Sequence, residues 1–247
     1  MRFYKADLHT HTVLSPCGDL DMSPSQVISQ AKSQGVDILG VTDHNSTLQC
    51  AVMERVGEQH GISILCGAEV TTKEEVHCLA FFNNSSRLNE FGAYVYEHLA
   101  DFPNNPDKFG YQAVVNENDL ILDQPEKLLI SATDISIEAL SEKVKEMGGI
   151  FIPAHIDRLS NGIIGQLGFV PPDLNFDALE LSRFVTQNAF LKENPEYKNY
   201  PFIQSSDAHY LEDIGAASTL FYLNAPTFDE IYAALKQQGG RKIELSL

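Results

Sequence analysis

The first strand–helix–strand unit of the chain reads RFYKADLHTHTVLSPCGDLDMSPSQVISQAKSQGVDILGVTDHN (residues 2–45). The apolar run Phe3–Leu8 predicts a strand. Ser23–Ser33 predicts a helix, because Ser23 is a good N-cap and a proline stands at the first helical position. Asp37–Thr42 predicts the next strand. This order indicates an α/β fold, either layered or barrel-shaped.

The alternation of strands and helices continues along the chain. The further predicted strands are Ile62–Cys66, Val76–Phe82, Ile150–Pro153, Ala178–Leu181 and Phe202–Gln204. The further predicted helices are Gln49–His60, Ser136–Met147 and a last helix that opens at Thr227. Residues 101–130 interrupt the pattern, with a hairpin turn predicted at 116–118. We expect one domain over residues 1–247 with an insertion around 83–135, and two small domains are the alternative.

The composition is that of an ordinary globular protein, with 247 residues of which 43% are hydrophobic and 21% charged. No apolar run approaches the roughly 18–20 residues that a membrane helix needs, and the N-terminus lacks the apolar stretch of a secretory signal. The four cysteines form no CxxC pair, so reduced and mostly buried thiols are expected. These features predict a cytoplasmic enzyme without a membrane partner.

The charge balance is strongly acidic. Lys and Arg number 17 and Asp and Glu number 34, which gives a formal net charge of −17. Because such a surface repels polyanions, the charge argues against polymeric nucleic acid as a partner. A small phosphorylated substrate remains compatible with it, since bound divalent cations reverse the local potential.

Six of the eight histidines stand at or beside a predicted strand end, which is where α/β folds build their sites. The six are His9, His11, His44, His77, His155 and His209. In the sequence DLHTH (residues 7–11), His9 and His11 are two residues apart. In a strand they therefore point to the same face and can hold one metal ion. Taken alone, the pair is also compatible with two partly exposed histidines.

Acidic and basic side chains accompany these histidines. Glu69 follows a predicted strand, where an unpaired carboxylate would be costly to bury, and its two oxygens can bridge two metal ions. Asp207 stands two residues before His209, and Arg158 follows His155 in a place suited to holding a phosphate. A solvated loop charge at Glu69 and a surface position for Arg158 are the alternatives. The combined set of oxygen and imidazole donors predicts a site for several Zn, Mn or Fe ions.

The order of these motifs resembles the PHP (polymerase and histidinol phosphatase) family. The motifs are HTH at 9–11, TDHN at 42–45, GAE at 67–69 followed by His77, AHIDR at 154–158 and SDAH at 206–209. The resemblance implies an α/β fold of the distorted seven-stranded (β/α) barrel type, three divalent metal ions and a phosphoesterase activity.

The resemblance also implies a role for each matching residue. One metal ion would be held by His9, His11, Glu69 and Asp207, and a second by Glu69, His77 and His155. A third would be held by His44 and His209 with one residue of the loop after His11, for which Asp19 is the first choice and Cys17 the second. Asp7 and Asp43 would orient imidazoles. Arg158 would bind phosphate oxygens, with Arg183 as a second candidate, and Asp207 or His209 would transfer a proton.

The expected reaction is hydrolysis of a small phosphomonoester, such as histidinol phosphate or a nucleotide phosphate, by a metal-activated hydroxide. A nuclease that uses the same metal cluster is the main alternative. An amidohydrolase is less favoured, because no lysine stands at the mid-chain strand ends to supply a carbamylated bridge. A non-catalytic metal-binding module would have lost ligands, whereas this set is complete. The sequence leaves the oligomeric state open.

Overall fold

A seven-stranded mixed sheet surrounds the N-terminal strand. The computed structural model describes residues 1–246. Its strands are β1 (Arg2–Thr10), β2 (Ile38–Val41), β3 (Ser63–Thr71), β4 (His77–Phe81), β5 (Val114–Val115), β6 (Ile121–Asp123), β7 (Ile150–Pro153), β8 (Leu179–Leu181), β9 (Phe202–Gln204), β10 (Thr219–Leu223) and β11 (Lys242–Leu245). The α-helices are α1 (Pro24–Ser33), α2 (Cys50–His60), α3 (Ser85–His98), α4 (Pro106–Phe109), α5 (Ile137–Glu146), α6 (Ile163–Leu167), α7 (Gln187–Glu193) and α8 (Phe228–Leu235).

The strand order of the large sheet is β11-β10-β1-β2-β3-β4-β7. Strands β1, β2 and β3 run parallel, and the other ladders are antiparallel. Strands β8 and β9 form a separate parallel pair that lies between β7 and β11 without a ladder to either. The mixed α/β fold is confirmed, with a curled sheet of seven strands. The expected closed barrel is not formed, because the two three-residue strands that fill the gap stay unpaired with its edges.

Two apolar cores cover the two faces of the sheet. Tyr4, Ala6 and Leu8 of β1 alternate with residues of the other face and join one core, which α8 covers. The larger core contains the buried faces of α1, α2 and α5. Helices therefore pack on both sides of the sheet, as the alternating pattern of the sequence predicts.

Several strand ends lie further along the chain than the sequence predicts. Strand β1 continues to Thr10 and β3 continues to Thr71, so His9 and Glu69 are strand residues rather than loop residues. Both extensions carry buried polar side chains, among them His9 and Glu69, which an apolar pattern does not reveal. Strands β10 and β11 are absent from the prediction, because β11 has an exposed and half-exposed alternation at the edge of the sheet.

The segment 83–135 contains α3, α4 and the hairpin β5–β6. The predicted turn at 116–118 joins the two hairpin strands, where the Asn116 carboxamide oxygen accepts from the backbone N–H of Asn118. The hairpin packs on the start of α2, because the Gln49 side chain donates to Val115 O at 2.9 Å and accepts from Val115 N at 3.0 Å. No helix within residues 1–246 combines the length and the apolar character that crossing a bilayer requires.

Candidate metal centre

The topology brings the predicted ligands to one edge of the sheet. The parallel strands β1, β2 and β3 end at the same edge, and they carry or precede His9, His44 and Glu69. Strand β4 runs back from this edge, so its first residue, His77, lies opposite Thr71. Strand β7 returns to the edge and leads into His155. Because residues 72–76 turn the chain back, Glu69 near the end of β3 and His77 at the start of β4 lie in one site.

Glu69 is the centre of the cluster. Its Oε1 lies 2.8 Å from His77 Nδ1 and 3.2 Å from both His9 Nε2 and His155 Nε2. Its Oε2 lies 3.1 Å from His44 Nδ1 and 3.4 Å from His11 Nε2. The carboxylate is 1% exposed, so these five imidazoles, rather than water, surround it. Burial alone would raise the pKa of Glu69, but the imidazoles around it, first His77 and then His9, hold that pKa well below its ordinary value.

The cluster contains buried nitrogen and oxygen atoms that face one another without a hydrogen bond between them. His9 Nε2 and His11 Nε2 lie 3.3 Å apart, and both face the same carboxylates. His44 Nδ1 and Glu69 Oε2 are buried without a hydrogen-bond partner. Three groups of side chains each place their ligand atoms within 4.8 Å of one another, about twice a metal–nitrogen distance of ~2.1 Å. The groups are His9, His11 and Glu69; His44, Glu69 and His77; and His11, His44 and His209. Divalent cations fit this donor set.

Asp207 closes the cluster on the side of His9 and His11. Its Oδ1 lies 3.5 Å from Nε2 of both histidines, and Arg158 donates to its Oδ2 at 2.7 Å. Burial disfavours the ionised form, but the charge of His9 and a hydrogen bond from His11 hold the pKa of Asp207 below its usual range. Asp207 and His155 both have positive φ, 52° and 27°, a region that non-glycine residues seldom adopt. Such strain is concentrated at functional sites.

The imidazoles fall into two electrostatic groups. Burial lowers the pKa of His44 well below 6.5 and that of His209 to about 4, which keeps both rings neutral, as metal ligation requires. Burial also opposes protonation of His9 and His11, but the carboxylates around them outweigh it. They raise the pKa of His9 well above 6.5 and that of His11 to about 9. The inner pair therefore attracts positive charge, whether from protons or from metal ions.

Glu180 is a functional residue that the sequence reasoning missed. Its Oε2 lies 2.9 Å from His9 Nδ1 and accepts from the backbone N–H of His155 at 3.1 Å. It is 2% exposed and lies in the middle of β8. A carboxylate on the second nitrogen of a ligand histidine fixes the tautomer and the ring orientation. The sequence does contain a signal for Glu180: it is the one acidic residue in the otherwise apolar predicted strand Ala178–Leu181.

The two aspartates expected to orient imidazoles do different work. Asp43 accepts from Thr12 and from the Ser15 hydroxyl at 2.7 Å, and the same hydroxyl lies 3.0 Å from His11 Nδ1. It therefore positions His11 through Ser15. Asp7 contacts no imidazole in the described residues; it accepts from the backbone N–H groups of Ser206 and Gly215. Asp7 holds the loop that carries Asp207.

The two candidates for the third metal ion lie in different surroundings. Asp19 is exposed, its Oδ1 accepts from Asp21 N at 2.9 Å, and within residues 1–246 it joins none of the ligand groups. Cys17 is exposed as well and also joins none of these groups, although partial burial of its thiol and the negative charge of Glu69 raise the pKa of that thiol to about 12. The geometry within residues 1–246 therefore favours neither candidate.

The two candidate phosphate-binding arginines also differ. Arg158 contacts Asp207 and so lies directly beside the cluster. Arg183 pairs with Asp213 at 2.6 Å, one loop away from the ligands. Arg158 is therefore better placed to reach a phosphate held by the metal ions.

A buried group of imidazoles around one carboxylate, at the edge of a curled α/β sheet, is the site of a metal-dependent hydrolase of phosphoester bonds. The chain belongs to the PHP family: the family model described as PHP domain matches residues 7–136. A second model, described as PHP-associated, matches residues 187–238.

Similar proteins extend this assignment. The uncharacterized protein YqxK of Bacillus subtilis (strain 168) is 24% identical over 274 residues, which cover 98% of this chain and 64% of that protein. The lesion-specific endonuclease PfuEndoQ from Pyrococcus furiosus superposes with a TM-score of 0.75 at 21% identity, covering 98% of this chain and 57% of that one. Endonuclease Q in complex with a 27-mer duplex with an abasic lesion gives a TM-score of 0.74 at 22% identity over 97% of this chain and 58% of that one. The chain thus spans less than two thirds of these relatives.

These comparisons correct two sequence-based predictions. The preference for a small phosphomonoester is wrong, because the folds that match nearly the whole chain are those of DNA endonucleases, one of them bound to a DNA duplex. The argument against polymeric nucleic acid is wrong for the same reason. Its physical error is that the net charge of −17 sums the whole chain, whereas a nucleic acid meets only the local surface around the site.

Proposed function

We propose that the chain is a metal-dependent phosphodiesterase that cleaves nucleic acid. The observation that carries the proposal is the buried cluster around Glu69, in which five imidazoles share one carboxylate and two buried polar atoms, His44 Nδ1 and Glu69 Oε2, lack a hydrogen-bond partner. Such a site needs several cations, and cations are what a polyanion needs to approach an acidic protein. The likeness of the fold to DNA endonucleases supports nucleic acid as the substrate class.

The donor set supports three divalent ions of Zn, Mn or Fe type. We propose the ligand assignment made from the sequence, with His9, His11, Glu69 and Asp207 for one ion, Glu69, His77 and His155 for another, and His44 with His209 for the third. Ions bound there would polarise the phosphoryl oxygens and lower the pKa of a water nucleophile. Asp19 and Cys17 are both retained as candidates for the remaining ligand of the third ion.

The residues of the chain have separable tasks in this proposal. Arg158 uses one N–H on Asp207, which leaves its other guanidinium donors for the non-bridging oxygens of the substrate. His209 Nδ1 lies 3.0 Å from the backbone oxygen of Asp207, so its Nε2 faces the ligand group that it shares with His11 and His44. Asp207 and His209 remain the proposed groups for moving a proton to the leaving oxygen.

The test is cleavage of defined substrates by the purified protein with Mn²⁺, Zn²⁺ or Fe²⁺. Single-stranded DNA, single-stranded RNA, a duplex with an abasic site and p-nitrophenyl phosphate are compared. We expect at least one polymer to be cut, with cleavage abolished by EDTA and reduced at least about 100-fold by Glu69→Gln, which keeps the shape and removes the charge. His98→Ala is the matched control, because His98 lies outside the cluster beside Asp134.

Two results would overturn the proposal. One is turnover of p-nitrophenyl phosphate without cleavage of any polymer under all metal conditions. The other is polymer cleavage by Glu69→Gln at the rate of the wild type. We also propose that residues 1–247 form one domain, that residues 83–135 are an insertion in it, and that the protein acts in the cytoplasm. Limited proteolysis that releases two stable halves would contradict the single domain.

A further inference from the structure

Three loops form the rim of the metal centre and are tied to one another. The loop after β7 carries Asp157, whose two carboxylate oxygens accept from the backbone N–H and the hydroxyl of Ser182, at 2.7 and 2.5 Å. The loop after β8 pairs with the loop after β9 through Arg183 and Asp213. Buried Gln204 donates to two carbonyl oxygens of the loop after β8, at 2.7 and 2.9 Å. The rim is therefore a fixed structure.

Each of these loops holds a large apolar side chain in solvent. Leu159 is 89% exposed, Phe184 is 78% exposed and Tyr210 is 49% exposed. Leu159 directly follows Arg158, which contacts Asp207, and Tyr210 directly follows His209. Because the loops are pinned, these side chains cannot collapse inward. Single exposed apolar side chains are common on protein surfaces, so it is the place of these three beside the ligands and the arginines, rather than their exposure alone, that points to a binding surface.

The rim also carries two arginines, each paired with an aspartate. The guanidinium carbon of Arg183 lies 5.1 Å from the centroid of the Phe184 ring, and Arg158 stands 44% exposed beside the cluster. Each arginine uses one donor in its ion pair and keeps others for a ligand. An aromatic face with arginines beside it matches the chemistry of bases and phosphates in a nucleic-acid strand.

We propose that Phe184 and Tyr210 form a stacking platform for unpaired bases of the nucleic acid that the metal centre cleaves, with Leu159 as an apolar contact beside them and Arg158 and Arg183 facing its phosphates. The inference rests on the proposed function and adds a substrate class to it. In a continuous duplex the base faces are covered by their neighbours, whereas a single-stranded or flipped-out base offers its π-face. The platform therefore selects strands that are single or locally unpaired.

The test measures binding and does not depend on cleavage. Fluorescence anisotropy gives the Kd of a labelled 12-nucleotide single-stranded oligonucleotide with phosphorothioate linkages, and of the same sequence in a perfect duplex. We expect the single strand to bind more tightly than the duplex. Phe184→Ala raises its Kd roughly 5- to 100-fold, since one base–aromatic stack is lost. Phe184→Tyr retains the wild-type Kd, because it keeps the aromatic face.

Controls separate the platform from general effects. Phe3→Ala is the matched aromatic control, because Phe3 lies six residues before His9 along β1, about 20 Å from that ligand. Metal content is measured for every variant. Arg183→Gln should reduce the slope of log Kd against log salt concentration by about 0.7, the value for one phosphate contact on a single strand.

The outcomes are distinct. Equal Kd values for wild type, Phe184→Ala and Phe3→Ala would overturn the platform. So would a wild-type Kd in Phe184→Leu, which keeps an apolar side chain but removes the aromatic face. A duplex that binds as tightly as the single strand would overturn it as well. Absence of wild-type binding overturns it too. A concentration-dependent dimer that Phe184→Ala dissociates would assign the surface to a second copy instead. Binding with the expected pattern but without any metal-dependent cleavage would overturn the proposed function and leave the platform standing.

Discussion

At the scale of single residues, Glu180 gives the sharpest prediction. It holds His9 through Nδ1 and His155 through the backbone, so it aligns ligands that come from two different strands. Glu180→Ala removes both contacts, and we expect metal affinity to fall about 10- to 100-fold. Glu180→Gln keeps an acceptor for both N–H groups and should lose less. Competition with a chromogenic chelator measures the affinity.

A matched acidic substitution completes that experiment. Glu117 lies in the hairpin β5–β6, and its exposed carboxylate pairs with Arg55 of α2. Glu117→Ala removes that carboxylate and should leave metal affinity unchanged. Wild-type affinity in Glu180→Ala would show that the contact with His9 has no part in holding the metal.

The same residue shows where sequence reasoning at this scale stops. His9 and His11 are recognisable because their spacing of two in a strand dictates a shared face, and Asp207 and His209 repeat that spacing. Glu180 has no such neighbour, because its partner lies 171 residues away in the chain. Asp7 and Asp43 look equivalent in sequence, and only the loop geometry decides that one holds Ser206 and the other holds Ser15.

At the scale of elements, two helices with similar sequence signals differ in their N-caps. Ser136 precedes α5, and its hydroxyl accepts from Ala139 N at 3.3 Å. Ser23 precedes α1, but its side chain makes no capping hydrogen bond. We expect Ser136→Ala to lower the free energy of unfolding by about 0.5–1 kcal/mol, and Ser23→Ala to have a smaller effect. Urea denaturation monitored by circular dichroism compares the two; equal losses would contradict the difference.

The elements also show which parts of the fold a sequence pattern can predict. The bounds of β7 and β9 match the prediction, because both are short apolar runs between turn signals. The antiparallel course of β4 agrees with the short connection after β3, because so few residues cannot form the crossover that a parallel strand needs. Strand β11 and the open edge beside β8 and β9 were not predictable, because both depend on which strands find partners across the fold.

At the scale of the whole molecule, Asp177 joins three elements. It is buried, accepts from Phe151 N in β7 at 2.8 Å, and pairs with Lys145 of α5 and with Lys236 at the end of α8. Asp177→Ala leaves two lysines without their buried partner, so we expect unfolding free energy to fall by about 3–5 kcal/mol. Glu117→Ala, which breaks an exposed pair with Arg55, should lower the unfolding free energy far less, because water and salt screen exposed ion pairs. Similar urea midpoints for the two variants would refute this role.

Metal ions should also stabilise the molecule as a unit, since their ligands come from every region between His9 and His209. At free metal about 100 times Kd, binding adds about 2.7 kcal/mol, which raises Tm by roughly 5–10 °C for a chain of this size. Thermal unfolding with Mn²⁺ or Zn²⁺ against excess EDTA measures the shift. Equal Tm values would show that no ion is held tightly.

The rise in Tm on metal binding should depend on pH, and His9 and His11 determine the direction of that dependence. In the chelated protein, the carboxylates around His11 raise its pKa from 6.5 to about 9, and the pKa of His9 is raised too. A raised histidine pKa contributes stability that is complete below pH 6.5 and is lost as the pH rises through about 9. With metal bound, both rings are already deprotonated, so this loss disappears. The difference in Tm between the metal-loaded and chelated protein should therefore widen from pH 6.5 to pH 9, and parallel pH profiles would show that protons and metal ions do not compete for His9 and His11.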